Sequence, residues 1–212
     1  MPDTAIEVLN TDILEDMFAS AEGQGEAESV ASTAFGFWLY IMSDCILFAA
    51  LFATFVVLSR NYAGGPTGRE LFDLRETLLE TFSLLTSSVT CGFAMLALHR
   101  EERGGVISWL AVTFLFGLGF VVMEVREFLH MAAIGSGPWR SGFLSAFFTL
   151  VGAHGTHVAI GLVWMAFMIV QILAKGLTAS VQSRLLRLSM FWHFLDIIWV
   201  GVFTVVYLNG VY

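Results

Sequence analysis

The stretch GFLSAFFTLVGAHGTHVAIGLVWMAFMIVQILA, residues 142–174, decides the fold, because it contains no Asp, Glu, Lys or Arg. A helix needs roughly 20 apolar residues to cross a bilayer, and this run exceeds that. A spanning strand would alternate in polarity, which the run does not do. Four more runs of the same kind lie around it. Residues 34–58 hold Asp44 as their only charge, and residues 77–98 hold Glu80. Residues 106–130 are uncharged as far as Met123, and residues 188–212 hold Asp196. The expected fold is therefore all-α: a polytopic membrane helix bundle with five transmembrane helices.

The segments between the runs carry turn residues. Ala63-Gly64-Gly65-Pro66 joins the first two runs, and His99-Arg100-Glu101-Glu102-Arg103-Gly104-Gly105 the next two. Gly135-Ser136-Gly137-Pro138 follows the third, and Lys175-Gly176 opens the last connection. Gly and Pro break helices at each of these points. Across the 212 residues, 57% are hydrophobic and 13% charged, against roughly 25% charged in soluble domains. One membrane domain, residues 33–212, is expected behind a tail, residues 1–32.

The net charge of −8 belongs to that tail. Asp3, Glu7, Asp12, Glu15, Asp16, Glu22, Glu26 and Glu28 fall there without a Lys or Arg, and the ten remaining acids balance ten bases. The tail reads as an acidic, flexible cytoplasmic arm. Ile6, Leu9, Ile13 and Phe18 mark a weak amphipathic helix within it. The balanced remainder offers no basic surface for nucleic acid. The acidic start also lacks the basic n-region and early apolar core of a signal peptide, so the first hydrophobic helix is expected to direct insertion. Cys45 and Cys91 lie in apolar runs and read as small buried hydrophobes, not as a disulfide or metal pair.

Orientation follows from Lys and Arg in the loops. Arg100, Arg103, Lys175, Arg184 and Arg187 fall on one side, and Arg60, Arg69, Arg75 and Arg140 on the other. This places the N-terminus inside and the C-terminus outside. Ser145, Thr149, Gly152, Thr156 and Ala159 form a seam of small residues on the fourth run, as Ser83, Ser87, Cys91 and Ala94 do on the second. Such seams let membrane helices approach closely. No repeat relates the two halves, so the inverted-repeat signature of a transporter is missing.

Ionisable groups inside a membrane are costly and mark a site by default. Glu124 and Glu127, His154 and His157, and His193 and Asp196 are pairs one helical turn apart, and Asp44 and Glu80 stand alone. One reading is a metal site, since a di-iron centre can be built from helices carrying Glu-x-x-His. Here the Glu and His pairs sit on different runs, and Glu124 lies about 27 Å along its helix from Val106, far from the depth of His193 and Asp196. A second reading is a proton or substrate path, with Asp44 near mid-membrane as its best member. A third is that the groups pair across helices, or with backbone, and fix packing. Trp38, Tyr40, Trp139 and Tyr212 near helix ends read as interfacial anchors. No nucleophile elbow, phosphate loop or haem-attachment motif is present.

Four strings, in order, resemble the subunit III family of haem–copper respiratory oxidases. FWHFLDIIWVGVF at residues 191–203 resembles its last-helix motif through His193, Phe194, Asp196 and Trp199. GAHGTHVAIG at residues 152–161 is similar to its His-Gly-x-His helix through His154, Gly155, His157 and Gly161. Glu124-Val125-Arg126-Glu127 matches its Glu-x-x-Glu helix, and Glu80-Thr81 with Ser87-Ser88 resembles an earlier segment. Together they cover residues 34–212. Five helices, where longer members have seven, together with the run RSGFLSAFFTLVGAHGTHV, resemble the bacterial quinol-oxidising, bo-type branch.

The resemblance implies an accessory subunit of a proton-pumping terminal oxidase in a bacterial cytoplasmic (inner) membrane. It implies partner subunits I, II and IV, and bound phospholipid. Haems and copper would sit in subunit I, with no catalytic, cofactor or metal residue in this chain. It implies roles in stabilising subunit I and supporting proton uptake. A cytochrome c oxidase subunit III is the close alternative. A membrane metalloenzyme or a small transporter is more distant.

Overall fold

A computed structural model describes residues 32–71, 73–208 and Gly210. The acidic tail and Tyr212 lie outside the described residues. The chain forms two compact units, Met1–Met42 and Ser43–Tyr212. The described part of the first unit is helical. The second holds the ionisable groups described below.

Five helices are long and apolar enough to cross a membrane, and no strand occurs among the described residues. They are α1 (Ser32–Leu58), α3 (Leu74–His99), α4 (Arg103–Ala133), α5 (Gly142–Lys175) and α6 (Ala179–Val202), the last continuing through a π-helical turn, Phe203–Leu208. A short α2 (Gly68–Leu71) lies in the first connection. The termini follow local chemistry. The Asp73 carboxylate accepts the Arg75 N–H at 2.9 Å and caps α3, and the Ser141 hydroxyl accepts the Leu144 N–H at 3.1 Å and caps α5. Gly176 ends α5 at φ 72°, a conformation that favours glycine.

Several boundaries differ from the expectation, the largest at the last span. The fifth span begins at Ala179, not near residue 188, because residues 179–187 form about two and a half polar helical turns that still bury Val181 and Leu185. The third extends to Ala133, carrying His130 in its last turn. Polar residues at a helix end hide it from a reading based on hydropathy.

α6 is held to α3 by four side-chain contacts in register. Trp199 Nε1–H donates to Thr81 Oγ1 at 3.1 Å, and Trp192 Nε1–H donates to Ser87 Oγ at 3.1 Å. Ser88 Oγ lies 2.7 Å from His193 Nδ1, and Cys91 Sγ 3.8 Å from Ser189 Oγ. α3 joins α4 through Thr90 and Thr113, 2.9 Å apart, and through Ser83, which donates to the Phe116 carbonyl at 2.9 Å. Trp192 is the keystone. A Cβ at Gly117 of α4 would stand 2.8 Å from its ring, and one at Gly161 of α5 would stand 3.0 Å from it. The indole is 1% exposed and fits only because both positions lack a side chain. Small residues and interhelical hydrogen bonds supply what the hydrophobic effect cannot inside a bilayer.

Candidate functional site

The ionisable groups fall into three sets. In the first, Asp44 Oδ2 of α1 stands 3.7 Å from His157 Nε2 of α5. His157 Nδ1 makes a 2.7 Å hydrogen bond with the Ala153 carbonyl one turn back, which fixes the ring and turns Nε2 toward the acid. Phe48 closes over this pair, with its ring centroid 5.2 Å from that of His157. His154 next door is fully buried. Its Nε2 lies 3.1 Å from the Leu195 carbonyl, and its ring lies between Trp199 at 5.1 Å and Phe120 at 5.8 Å. That surrounding makes His154 a packing element of the α4–α5–α6 core.

The second set gathers acids from two helices. Glu80 of α3 and Glu124 and Glu127 of α4 lie within electrostatic reach of one another. Tyr207 of the π turn donates its hydroxyl to Glu127 Oε2 at 3.0 Å. Glu80 is 2% exposed and Glu124 3%. Glu80 Oε2 and Glu124 Oε1 have no hydrogen-bond partner. The Glu124 carboxyl rests against the bare backbone of Gly155, so α4 touches the His154–His157 segment. Sequence spacing placed Glu124 and Glu127 on one face but gave no sign of Glu80 or Tyr207 joining them. A tyrosine in an apolar run, whose hydroxyl must find a partner, was the available clue.

The third set is Ser88 of α3 with His193 and Asp196 of α6. The Asp196 carboxyl faces both the Ser88 hydroxyl and the His193 ring, and its Oδ1 is enclosed without a hydrogen bond. Both α6 residues are half-buried.

Among the described residues, no Lys or Arg comes within ion-pairing distance of these carboxyls. Nor does any group of three or more His, Cys, Asp or Glu there have the geometry to hold a metal ion. Cys45 and Cys91 are free thiols. The arrangement can hold polar groups in register across helices, and it places acids at more than one depth of the bundle.

Among the described residues, five helices long and apolar enough to cross a membrane, with ionisable groups brought together between them, define a multi-pass membrane protein. A family model for cytochrome c oxidase subunit III matches residues 5–211, and the chain belongs to that family. It is thus a subunit of a multi-subunit oxidoreductase complex in a membrane. Among curated proteins, it is 58% identical over 184 residues to the cytochrome bo(3) ubiquinol oxidase subunit 3 of Pseudomonas putida, covering 87% of this chain and 89% of that one. It is 52% identical over 207 residues to the same-named subunit of Pseudomonas aeruginosa, covering 95% and 99%. It is 41% identical over 192 residues to the quinol oxidase subunit 3 of Bacillus subtilis, covering 91% and 94%.

Proposed function

We propose that this chain is subunit III of a quinol-oxidising terminal oxidase, where it carries no redox centre of its own. The observation that carries this reading is the near full-length likeness to ubiquinol oxidase subunits at up to 58% identity. In this role it stabilises subunit I, which holds the haems and copper, and contacts subunits II and IV. It also binds phospholipid on its apolar surface and helps keep proton uptake intact. Asp44, Glu80, Glu124, Glu127, His154, His157, His193 and Asp196 act in packing and coupling, not in oxygen chemistry. Residues 1–32 form a solvated arm ahead of the 33–212 domain. The membrane is the bacterial cytoplasmic one, with the N-terminus inside and the C-terminus outside.

The test is purification of the native complex in mild detergent through a tag on this chain, followed by an optical spectrum and identification of the co-purifying chains. Haem absorbance with a subunit II that lacks a dinuclear copper motif is expected. A subunit II with that motif would move the assignment to a cytochrome c oxidase. A chain that purifies alone with about one bound iron, copper or zinc would overturn the accessory reading.

A further inference from the structure

The Glu80–Glu124–Glu127 cluster differs from the other two sets in containing no imidazole. Glu80 Oε2 and Glu124 Oε1, on residues 2% and 3% exposed, have no hydrogen-bond partner among the described residues. The groups that face the cluster are acidic or neutral. α3 supplies Glu80 and, one turn earlier, Glu76, which lies within electrostatic reach of both Glu80 and Glu127. α4 supplies Glu124 and Glu127, while Arg126 between them is exposed and pairs with neither. The π turn supplies the Tyr207 hydroxyl, which lies within reach of all three acids. α5 presents the bare backbone of Gly155. The imidazoles flanking that glycine are engaged elsewhere, His154 at the Leu195 carbonyl and His157 at Asp44.

The cluster lies near one end of the bundle, where α3 begins and α4 and the π turn finish. At about 1.5 Å per residue, Glu80 stands about 9 Å in from Leu74, Glu127 about 9 Å in from Ala133, and Glu124 about 14 Å in. Exposure falls along the same direction: Glu76 is exposed, Glu127 half-buried, and Glu80 and Glu124 sealed. Three charges so placed would repel one another after losing their hydration, and a buried carboxylate without a partner is relieved by taking a proton. Two carboxylates cannot hydrogen-bond each other, since both only accept, but an acid that holds a proton becomes a donor. A shared proton therefore supplies the donor that Glu80 and Glu124 lack. A metal ion would relieve the same charge, but no group of three or more His, Cys, Asp or Glu among the described residues has the geometry to hold one.

We propose that Glu80, Glu124, Glu127 and Tyr207 form a proton-binding site, in which the acids hold at least one proton between them at neutral pH in carboxyl–carboxylate hydrogen bonds, exchanged with the aqueous phase past Glu76. The site ends against the backbone of Gly155, so it stores protons and does not pass them across the bundle. Folding then takes up protons that the unfolded chain releases, so the stability that the site contributes is present at low pH and is lost as pH rises. The cluster is a pH-sensitive clasp between α3, α4 and the π turn, and it stands whether or not the assembly oxidises quinol.

The test is the midpoint for thermal loss of the folded protein against pH, on the intact assembly that a tag on this chain brings down in mild detergent. Between about pH 6 and about pH 9 the wild-type midpoint is expected to fall by on the order of 3–5 °C per pH unit for each proton held. The double variant Glu80→Gln with Glu124→Gln keeps the shape and a donor at both positions while removing the ionisation. It is expected to match the wild type at the acid end of that range and to exceed it at the alkaline end. A wild-type midpoint that stays flat or rises with pH overturns the proposal, as does a double variant with the full wild-type slope. A wild-type midpoint that climbs with added sodium, potassium, magnesium or calcium chloride, while that of the double variant does not, makes the cluster a cation site and overturns it too. If the double variant fails to fold, each glutamine is introduced alone. Single variants that fold with a reduced slope uphold the proposal. Single variants that fail to fold show that the site requires charge, and single variants with an undiminished slope show that it does not titrate; either result overturns it.

Discussion

At Gly155 the space a side chain would fill is already taken by the Glu124 carboxyl. The acid is 3% exposed and one of its oxygens has no partner, so it has little room to retreat. Gly155→Ala should therefore destabilise the subunit by about 1–3 kcal/mol through overpacking. A lowered midpoint for thermal loss of the folded protein in mild detergent would show it, and an unchanged midpoint would mean that Glu124 swings aside freely. Tyr207→Phe acts on the other end of the same cluster. It removes the donor to Glu127 and leaves a half-buried acid short of a bond, a loss of about 1–3 kcal/mol. The same thermal measurement checks it, and Tyr207→Phe should weaken the protein even though it removes only one oxygen. The sequence disclosed the Glu-x-x-Glu and His-Gly-x-His spacings as single faces. It could not disclose that Gly155 makes room for a residue 31 positions earlier, because that fact depends on how α4 and α5 cross.

The α3–α6 contact shows what an element contributes beyond its residues. Hydrogen bonds from Trp199 to Thr81 and from Trp192 to Ser87 fix the sliding register of two long helices that apolar packing alone would leave loose. A double-mutant cycle with Trp199→Phe and Thr81→Val should give a coupling of about 0.6 kcal/mol, and at most about 1.7. A coupling of zero would make the bond incidental to packing. Five spans were legible in the sequence because lipid demands long apolar runs and little else resembles them. The seam Ser83, Ser87, Cys91 and Ala94 was legible too, and Ser87 and Cys91 do meet α6. The polar start of α6 was not, since Arg184 and Arg187 break the apolar run while the backbone stays helical. The π turn was also invisible, as no residue type announces it, yet it sets the direction in which Tyr207 points.

At the scale of the whole molecule, two expectations concern the assembled complex. A reporter fused after Tyr212 should be active only outside the cytoplasm if the proposed orientation holds, with five spans between the ends and the side richer in loop bases facing inward. Activity confined to the cytoplasm would reverse the orientation. Glu124→Ala should lower the yield of assembled oxidase while the assembled fraction keeps a near-normal initial rate of oxygen consumption per haem. A complete complex slowed roughly a hundredfold, the scale of losing a group that acts in the transition state, would place an obligatory residue in this chain. The Trp192 socket carries a different kind of consequence. Its ring touches α4 and α5 where each has a glycine, and hydrogen-bonds α3, so four helices share one side chain. Mutational drift is then blocked one step at a time: neither Gly117 nor Gly161 can enlarge before the indole shrinks, and a shrunken indole leaves a void until a glycine enlarges. Lineages that change this socket should do so in compensated pairs, which makes positions 117, 161 and 192 a coupled inheritance within an otherwise permissive lipid-facing scaffold.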